Sequence, residues 1–113
     1  MADIGVFMNL QPDDPDALRR KQILEGRLPN YTFNYRYGGG DHNSYGNIAI
    51  DLVRSNPDAR LFVACCWPTM QALNDAMQAL AITPPKGVLY AGVTDSTSSP
   101  GYYGGNLTGM KSF

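Results

Sequence analysis

Two thiols open the chemical reading of this chain. Cys65 and Cys66 are adjacent and are its only cysteines. They follow the apolar run Leu61-Phe62-Val63-Ala64 and precede Trp67-Pro68-Thr69, where a helix is expected to begin. A thiol placed just before a helix N-terminus has its thiolate stabilised by the amides there. Cys66 is therefore a candidate nucleophile. A cysteine is more often small buried filler, and no basic residue stands beside this one in sequence. Adjacent cysteines do not form a spaced set of zinc ligands or a disulfide framework, and no metal or cofactor is implied. His42, the single histidine, sits beside Asp41 in a turn and reads as a solvated loop residue. Gly38-Gly39-Gly40 reads as a turn, since no Lys-Ser/Thr and no G-x-G-x-x-G pattern accompanies it.

The elements that must position these residues are legible from periodicity. Ile4-Gly5-Val6-Phe7-Met8-Asn9-Leu10 suits a strand buried on both faces. Asp14 suits a helix cap and Pro15 the first helical position, with the Arg19-Arg20-Lys21 run late in that helix and Gly26 ending it. Tyr31 to Tyr37 alternates aromatic and polar residues, as an edge strand does. Tyr45, Ile48, Ala49, Leu52 and Val53 fall at i, i+3, i+4, i+7 and i+8, which predicts an amphipathic helix capped by Asp41 or Asn43 and ended by Asn56-Pro57. Leu61 to Cys66 predicts a central strand, and Met70, Leu73, Met77 and Leu80 give the next helix its apolar face. Gly87 to Val93 predicts a fourth strand and Asn106 to Met110 a fifth. The alternation implies one α/β domain over residues 1–113. It is a small doubly wound, mainly parallel sheet of four or five strands flanked by helices, in the flavodoxin-like class.

In open α/β sheets, ligands bind beyond the carboxyl ends of the strands. That rim would collect Asn9 and Gln11 after the first strand. It would add Cys66, Trp67, Pro68 and Thr69 after the third, and Thr94 and Asp95 after the fourth. The amides of a helix starting near Pro68 could receive a carboxylate or phosphate, and Trp67 could cover an apolar ligand. The competing account makes Trp67 a core cap, Thr69 a helix-end partner and Asp95 a turn residue.

Composition narrows the function classes. The chain has 113 residues with 9 basic and 10 acidic side chains, a formal charge of −1, which argues against a nucleic-acid binder. Hydrophobic residues make up 43%, enough to build a core. No apolar run approaches the roughly 18 residues that cross a bilayer, so no membrane insertion is expected. No basic leader followed by an apolar stretch opens the sequence, so it reads as cytoplasmic as written, or periplasmic if an exporting leader has been removed. A receiver domain needs acidic residues where Asn9 and Cys65-Cys66 stand. A flavodoxin needs a Ser/Thr-rich phosphate loop where Gln11-Pro12-Asp13-Asp14 stands.

Several short segments, taken in order, carry a resemblance. They are Ile4 to Met8, Tyr35-Arg36-Tyr37-Gly38-Gly39-Gly40-Asp41, the Pro68-to-Leu73 helix start, Val93-Thr94-Asp95, and Gly104-Gly105-Asn106-Leu107-Thr108-Gly109. Together they resemble the N-terminal lobe of ABC-transporter substrate-binding proteins of the tryptophan-binding type. The resemblance implies one lobe of a type I periplasmic-binding-protein fold and no catalysis. It implies delivery of a small ligand, often an aromatic amino acid, to an ABC permease. The implied contacts are Asn9, Gln11, the Trp67-Pro68-Thr69 helix start, Thr94 and Asp95. The family continues into a second lobe where this sequence stops at Phe113, so a homodimer through the fourth-strand edge and Tyr102-Tyr103 is expected to supply the missing wall. A structural or interaction protein without ligand is the alternative, and an enzyme using Cys66 stands behind both.

Overall fold

Five consecutive apolar or small residues, Ile4 to Met8, form a strand buried at every position. Such a strand needs a neighbour on each edge and a layer over each face. The computed structural model, which describes residues 2–82 and the segments 87–90, 101–103 and 110–112, supplies both. The elements in chain order are β1 (Ile4–Met8), α1 (Pro15–Arg27), β2 (Phe33–Tyr37), α2 (Tyr45–Ser55), β3 (Leu61–Ala64), α3 (Trp67–Ala79), β4 (Gly87–Tyr90), β5 (Gly101–Tyr103) and β6 (Met110–Ser112). A short 3-10 turn, His42–Ser44, leads into α2 and is capped by the Asp41 carboxylate. The sheet order is β2-β1-β3-β4-β5-β6. β1 runs parallel to β2 and β3, and β4 runs parallel to β3. β5 and β6 continue the sheet antiparallel.

The α/β class and a parallel core with three helices are as expected; its strand order is β2-β1-β3. The expected strand count of four or five does not hold, because the backbone pairs into six. The fourth-strand edge is not open for a second copy, since Val88, Leu89 and Tyr90 pair with Gly101–Tyr103 of the same chain. Asn106 to Gly109, expected in a fifth strand, lie outside the described residues. Two helix boundaries also differ. Neither Asp41 nor Asn43 caps α2, which starts at Tyr45 with Ser44 at its N-cap, because the Asp41 carboxylate is used by the 3-10 turn before it. Gly26 does not end α1, which runs to Arg27 and closes with the Leu28 amide on the Leu24 carbonyl. The Arg19-Arg20-Lys21 run therefore lies in mid-helix, and Arg27 is the basic residue of the last turn.

Helices cover both faces of the sheet. On one face Phe7, Phe62 and Ala64 pack with Leu52, Met70, Leu73 and Met77 of α2 and α3. On the other, Ile4, Val6, Met8 and Val63 pack with Ala17 of α1 and the flank of Phe33, Tyr35 and Tyr37. Gly5 is required where β1 passes the Phe62 ring. A Cβ there would meet Phe62 Cδ1 at 2.7 Å and Leu52 Cγ at 3.2 Å.

One polar side chain ties the amino-terminal end of the sheet. Asn56 is fully buried. Its Oδ1 accepts from the Ala2 amide at 3.1 Å and from Asn34 Nδ2 at 3.2 Å, while its Nδ2 donates to the Leu52 carbonyl at 2.8 Å. It thus closes α2 and pins the chain start and edge strand β2 to it. Truncation leaves three groups without this partner, at a net cost of about 2–3 kcal/mol. Asn56→Ala is expected to lower the unfolding free energy by that amount, moving the urea midpoint down with an unchanged slope. A midpoint within error of the parent would contradict this role.

Candidate functional site

The carboxyl ends of β1, β2 and β3 form one rim. After β2, the Gly38 amide donates to the Met8 carbonyl at 2.7 Å and the Gly39 amide to the Leu10 carbonyl at 3.2 Å. Gly39 and Gly40 hold φ of +62° and +85°, which suits glycine. Gln11 lies against this turn, since a Cβ on Gly39 would stand 2.6 Å from Gln11 Nε2. After β3, the Cys65 sulfur accepts from the Asn9 amide at 3.2 Å and lies 3.1 Å from Asn9 Oδ1 as its donor. That pair of contacts fastens the end of β1 to the end of β3.

Cys66 is the N-cap of α3, which begins at Trp67, one residue earlier than the sequence suggests. Its sulfur accepts from the Thr69 amide, and the Thr69 side chain reaches back to the Cys66 amide at 3.3 Å, a reciprocal capping box. Thr69 is fully buried, and its hydroxyl lies 2.9 Å from the Cys66 carbonyl and 3.5 Å from Cys66 Sγ. The hydroxyl has one hydrogen, so it serves one of those acceptors at a time. The first turn of α3 is therefore largely spent on itself. Pro68 has no amide hydrogen, the Thr69 amide is taken by the sulfur, and the Met70 amide donates to the Cys66 carbonyl at 3.0 Å. The expected anion seat on the α3 amides is correspondingly reduced.

The two thiols differ sharply. The Cys66 thiol is pulled down to about 6, first by a hydrogen bond from Cys65, then by the Thr69 hydroxyl and amide and the positive charge of His42, against the opposing effect of burial. The Cys65 thiol is pushed up, first by donating that same hydrogen bond and then by burial. Cys65 also has one hydrogen. An ionised Cys66 sulfur is a stronger acceptor for it than the Asn9 carbonyl.

Tyr45 and His42 complete the neighbourhood. The Tyr45 ring packs edge-on against Phe7 with centroids 5.2 Å apart, and beneath Gly38, whose added Cβ would meet Tyr45 Cε1. The Tyr45 hydroxyl is buried and faces the Gly40 backbone amide. Burial pushes its pKa up, and the charges of Cys66 and Cys65 push it further. His42 stacks on Tyr45 with centroids 4.7 Å apart. A groove of about 390 Å³ starts at His42 and Pro68 and runs between α2 and α3 past Gln71 and Asp75.

Of the expected site residues, Asn9 meets Cys65, and Cys66, Pro68 and Thr69 form the start of α3. Trp67 is half exposed, with its Nε1 donating to Gln71 Oε1 at 3.2 Å. Gln11 is exposed on the Gly39 side of the rim. Thr94 and Asp95 lie outside the described residues. Pro68 is the one member of the expected set that lines the groove. Cys65, His42 and Tyr45 belong to the neighbourhood and were not in that set. Among the described residues no three His, Cys, Asp or Glu side chains gather to hold a metal ion, and no helix is long and apolar enough to cross a membrane. Comparison with protein-family models, with curated proteins and with solved structures returns no match.

The depressed Cys66 pKa makes stability depend on pH. An unfolded thiol titrates near 8.5, roughly. An acid whose folded pKa lies lower contributes stability above the unfolded value and loses it as pH falls through the folded value, about 6 here. Denaturant melts should therefore show stability rising from pH 5.5 to 8. Cys66→Ser is expected to flatten that rise, and an equal rise in the variant would contradict the assignment.

Proposed function

We propose that the domain is a solute-binding lobe that holds a small carboxylate or aromatic amino acid at the carboxyl rim of its sheet and performs no chemistry on it. The observation that carries this reading is the convergence of Asn9 and the Cys66-Trp67-Pro68-Thr69 helix start at one rim, where β1 and β3 end side by side. The parallel order β2-β1-β3-β4 supports it, because a doubly wound sheet offers its crevice at this rim. Half-exposed Trp67 provides an aromatic surface at the edge. The short segments resembling ABC-transporter substrate-binding proteins point the same way, and an ABC permease is the corresponding acceptor of the ligand.

A tight small-molecule site encloses about 70–90% of its ligand. One rim covers a single side, so the reading includes a second wall, which a second copy of the chain would supply. The β4 edge does not serve for that, being paired with β5. Anionic Cys66 also sits where the ligand carboxylate would approach. Carboxylate affinity should therefore rise as Cys66 takes up its proton.

Trp67 is the only tryptophan, which makes its emission a clean reporter. Titration with phenylalanine, benzoate and succinate is expected to give a saturable change, several-fold tighter at pH 5.5 than at pH 8. Sedimentation should show a dimer in the presence of the ligand that binds. Flat emission to millimolar concentrations with all three at both pH values would remove the binding reading.

A further inference from the structure

β2 is the last strand on its side of the sheet, and among the described residues no strand lies beyond it. The Ile4 amide donates to the Thr32 carbonyl at 3.1 Å, and the Gly38 amide to the Met8 carbonyl at 2.7 Å. Peptide groups alternate sides along a strand, so those of Asn34 and Arg36 face β1 while those of Phe33, Tyr35 and Tyr37 face outward. An open edge of this kind is commonly blunted by a proline, a bulge or a charge. β2 has no proline, and its register against β1 is unbroken from Phe33 to Tyr37. Its one charged residue, Arg36, is held within its own chain, by Asp51 at 2.8 Å and by the Asn34 side chain. Arg36 also donates to the Tyr35 carbonyl at 3.0 Å, and that oxygen keeps a second lone pair for another donor. Apolar surface flanks the edge. Phe33, Tyr35 and Tyr37 stack in a row with centroids 6.0 and 6.3 Å apart. From α1, Lys21 Nζ lies 5.1 Å from the Tyr35 centroid, and Glu25 accepts from the Tyr35 hydroxyl at 3.0 Å. Leu18, one turn before Lys21 on the same stripe of α1, is 49% exposed.

From this edge we propose that β2 is an association surface for a second copy of this chain, the two strands pairing antiparallel about a two-fold axis at Tyr35. The pattern of the strand favours its own reverse. Centred on Tyr35, the run Phe33-Asn34-Tyr35-Arg36-Tyr37 keeps its aromatic and polar positions when its direction is inverted. Tyr35 then stands opposite Tyr35 of the second copy, Phe33 opposite its Tyr37, and Asn34 opposite its Arg36. Cross-strand aromatic pairs are favourable, and no like charges face each other. The outward amides and carbonyls of Phe33, Tyr35 and Tyr37 become the hydrogen-bonded pairs of an antiparallel ladder, so this register satisfies each of them. A slip by one residue sets outward peptide groups against inward ones and aromatic side chains against polar ones. The contact is isologous and uses up the edge on both copies, so association closes at the dimer. An unrelated extended peptide could pair with the backbone but would lack these matched side chains. The axis turns the two carboxyl rims toward opposite ends of the joined sheet. This contact is therefore not the second wall of the solute-binding reading, and it stands independently of that reading.

The test uses the full chain without ligand. Sedimentation should give a dimer at tens of micromolar and a growing monomer fraction on roughly hundredfold dilution. Amide exchange at Phe33, Tyr35 and Tyr37 should be roughly tenfold slower, or more, at the higher concentration, while Asn34 and Arg36, which face β1, are protected at both. Tyr35→Lys sets two ammonium groups across the axis and should weaken the dimer by roughly tenfold or more, with Asn34 and Arg36 still protected. A monomer at both concentrations, a dimer whose Phe33, Tyr35 and Tyr37 amides exchange freely, or a folded Tyr35→Lys that dimerises like the parent would overturn the proposal. Protection of those amides only on addition of an unrelated extended peptide would overturn it too, and would give the edge to a peptide. Exchange in the parent protein separates these outcomes, so a variant that fails to fold leaves the test intact. A ligand-linked dimer of the solute-binding reading would use another surface and is read apart from this one in Tyr35→Lys.

Discussion

The burial of β1 on both faces and both edges is the constraint that organises this molecule. Its five residues are all buried, with β2 on one side and β3 on the other. Phe7 faces the α2–α3 layer while Ile4, Val6 and Met8 face α1. Its neighbour β3 is buried at three of four positions, and β2 is only partly buried throughout. Because its neighbours run parallel to it, the chain leaves β1, β2 and β3 at the same end. Asn9, the Gly38–Gly40 turn and the Cys65–Cys66 pair arrive there as a direct consequence. The rim is thus a product of strand direction before any side chain is considered.

Helix capping then decides the chemistry of that rim. A serine, threonine or aspartate at the N-cap would satisfy an amide and remain inert. A cysteine in that role becomes the sulfur that the capping amide stabilises, and the Thr69 side chain completes the box from inside the helix. The same interaction that starts α3 therefore favours the thiolate. It also consumes amides that an anionic ligand at that helix end would use.

Much of this was legible in the sequence. The apolar run of β1, the Asp14-Pro15 start of α1, the five-position stripe of α2 and the Asn56 stop all reflect local preferences that the tertiary structure leaves in force. The parallel order followed from strands alternating with helices. What sequence could not supply was nonlocal. Gly26 resembles a helix stop, yet it sits in open space where a missing side chain costs only about 1 kcal/mol, so the helix runs past it. Sulfur is outside the usual set of cap acceptors, so α3 was expected to begin at Pro68. Tyr45 reads as one apolar position in a stripe. Only the Gly38 turn and the sulfurs beyond it give its hydroxyl a particular setting. His42 reads as a solvated loop residue, and its stack on Tyr45 depends on the same turn. The closure of the β4 edge by Gly101–Tyr103 is likewise a long-range pairing with no local signature.

The central claim is that the end of β1 is fastened to the end of β3 through Asn9 and Cys65, so that the rim is built in advance rather than assembled by a ligand. Amide hydrogen exchange at Asn9 tests it most directly. The account predicts that the Asn9 amide, though beyond the last residue of β1, is protected to nearly the degree of Val6 and Phe7. It also predicts that Cys65→Ala removes the protection at Asn9 while Val6 and Val63 keep theirs. Exchange at Asn9 in the parent protein as fast as in an open loop, with β1 itself protected, would contradict it.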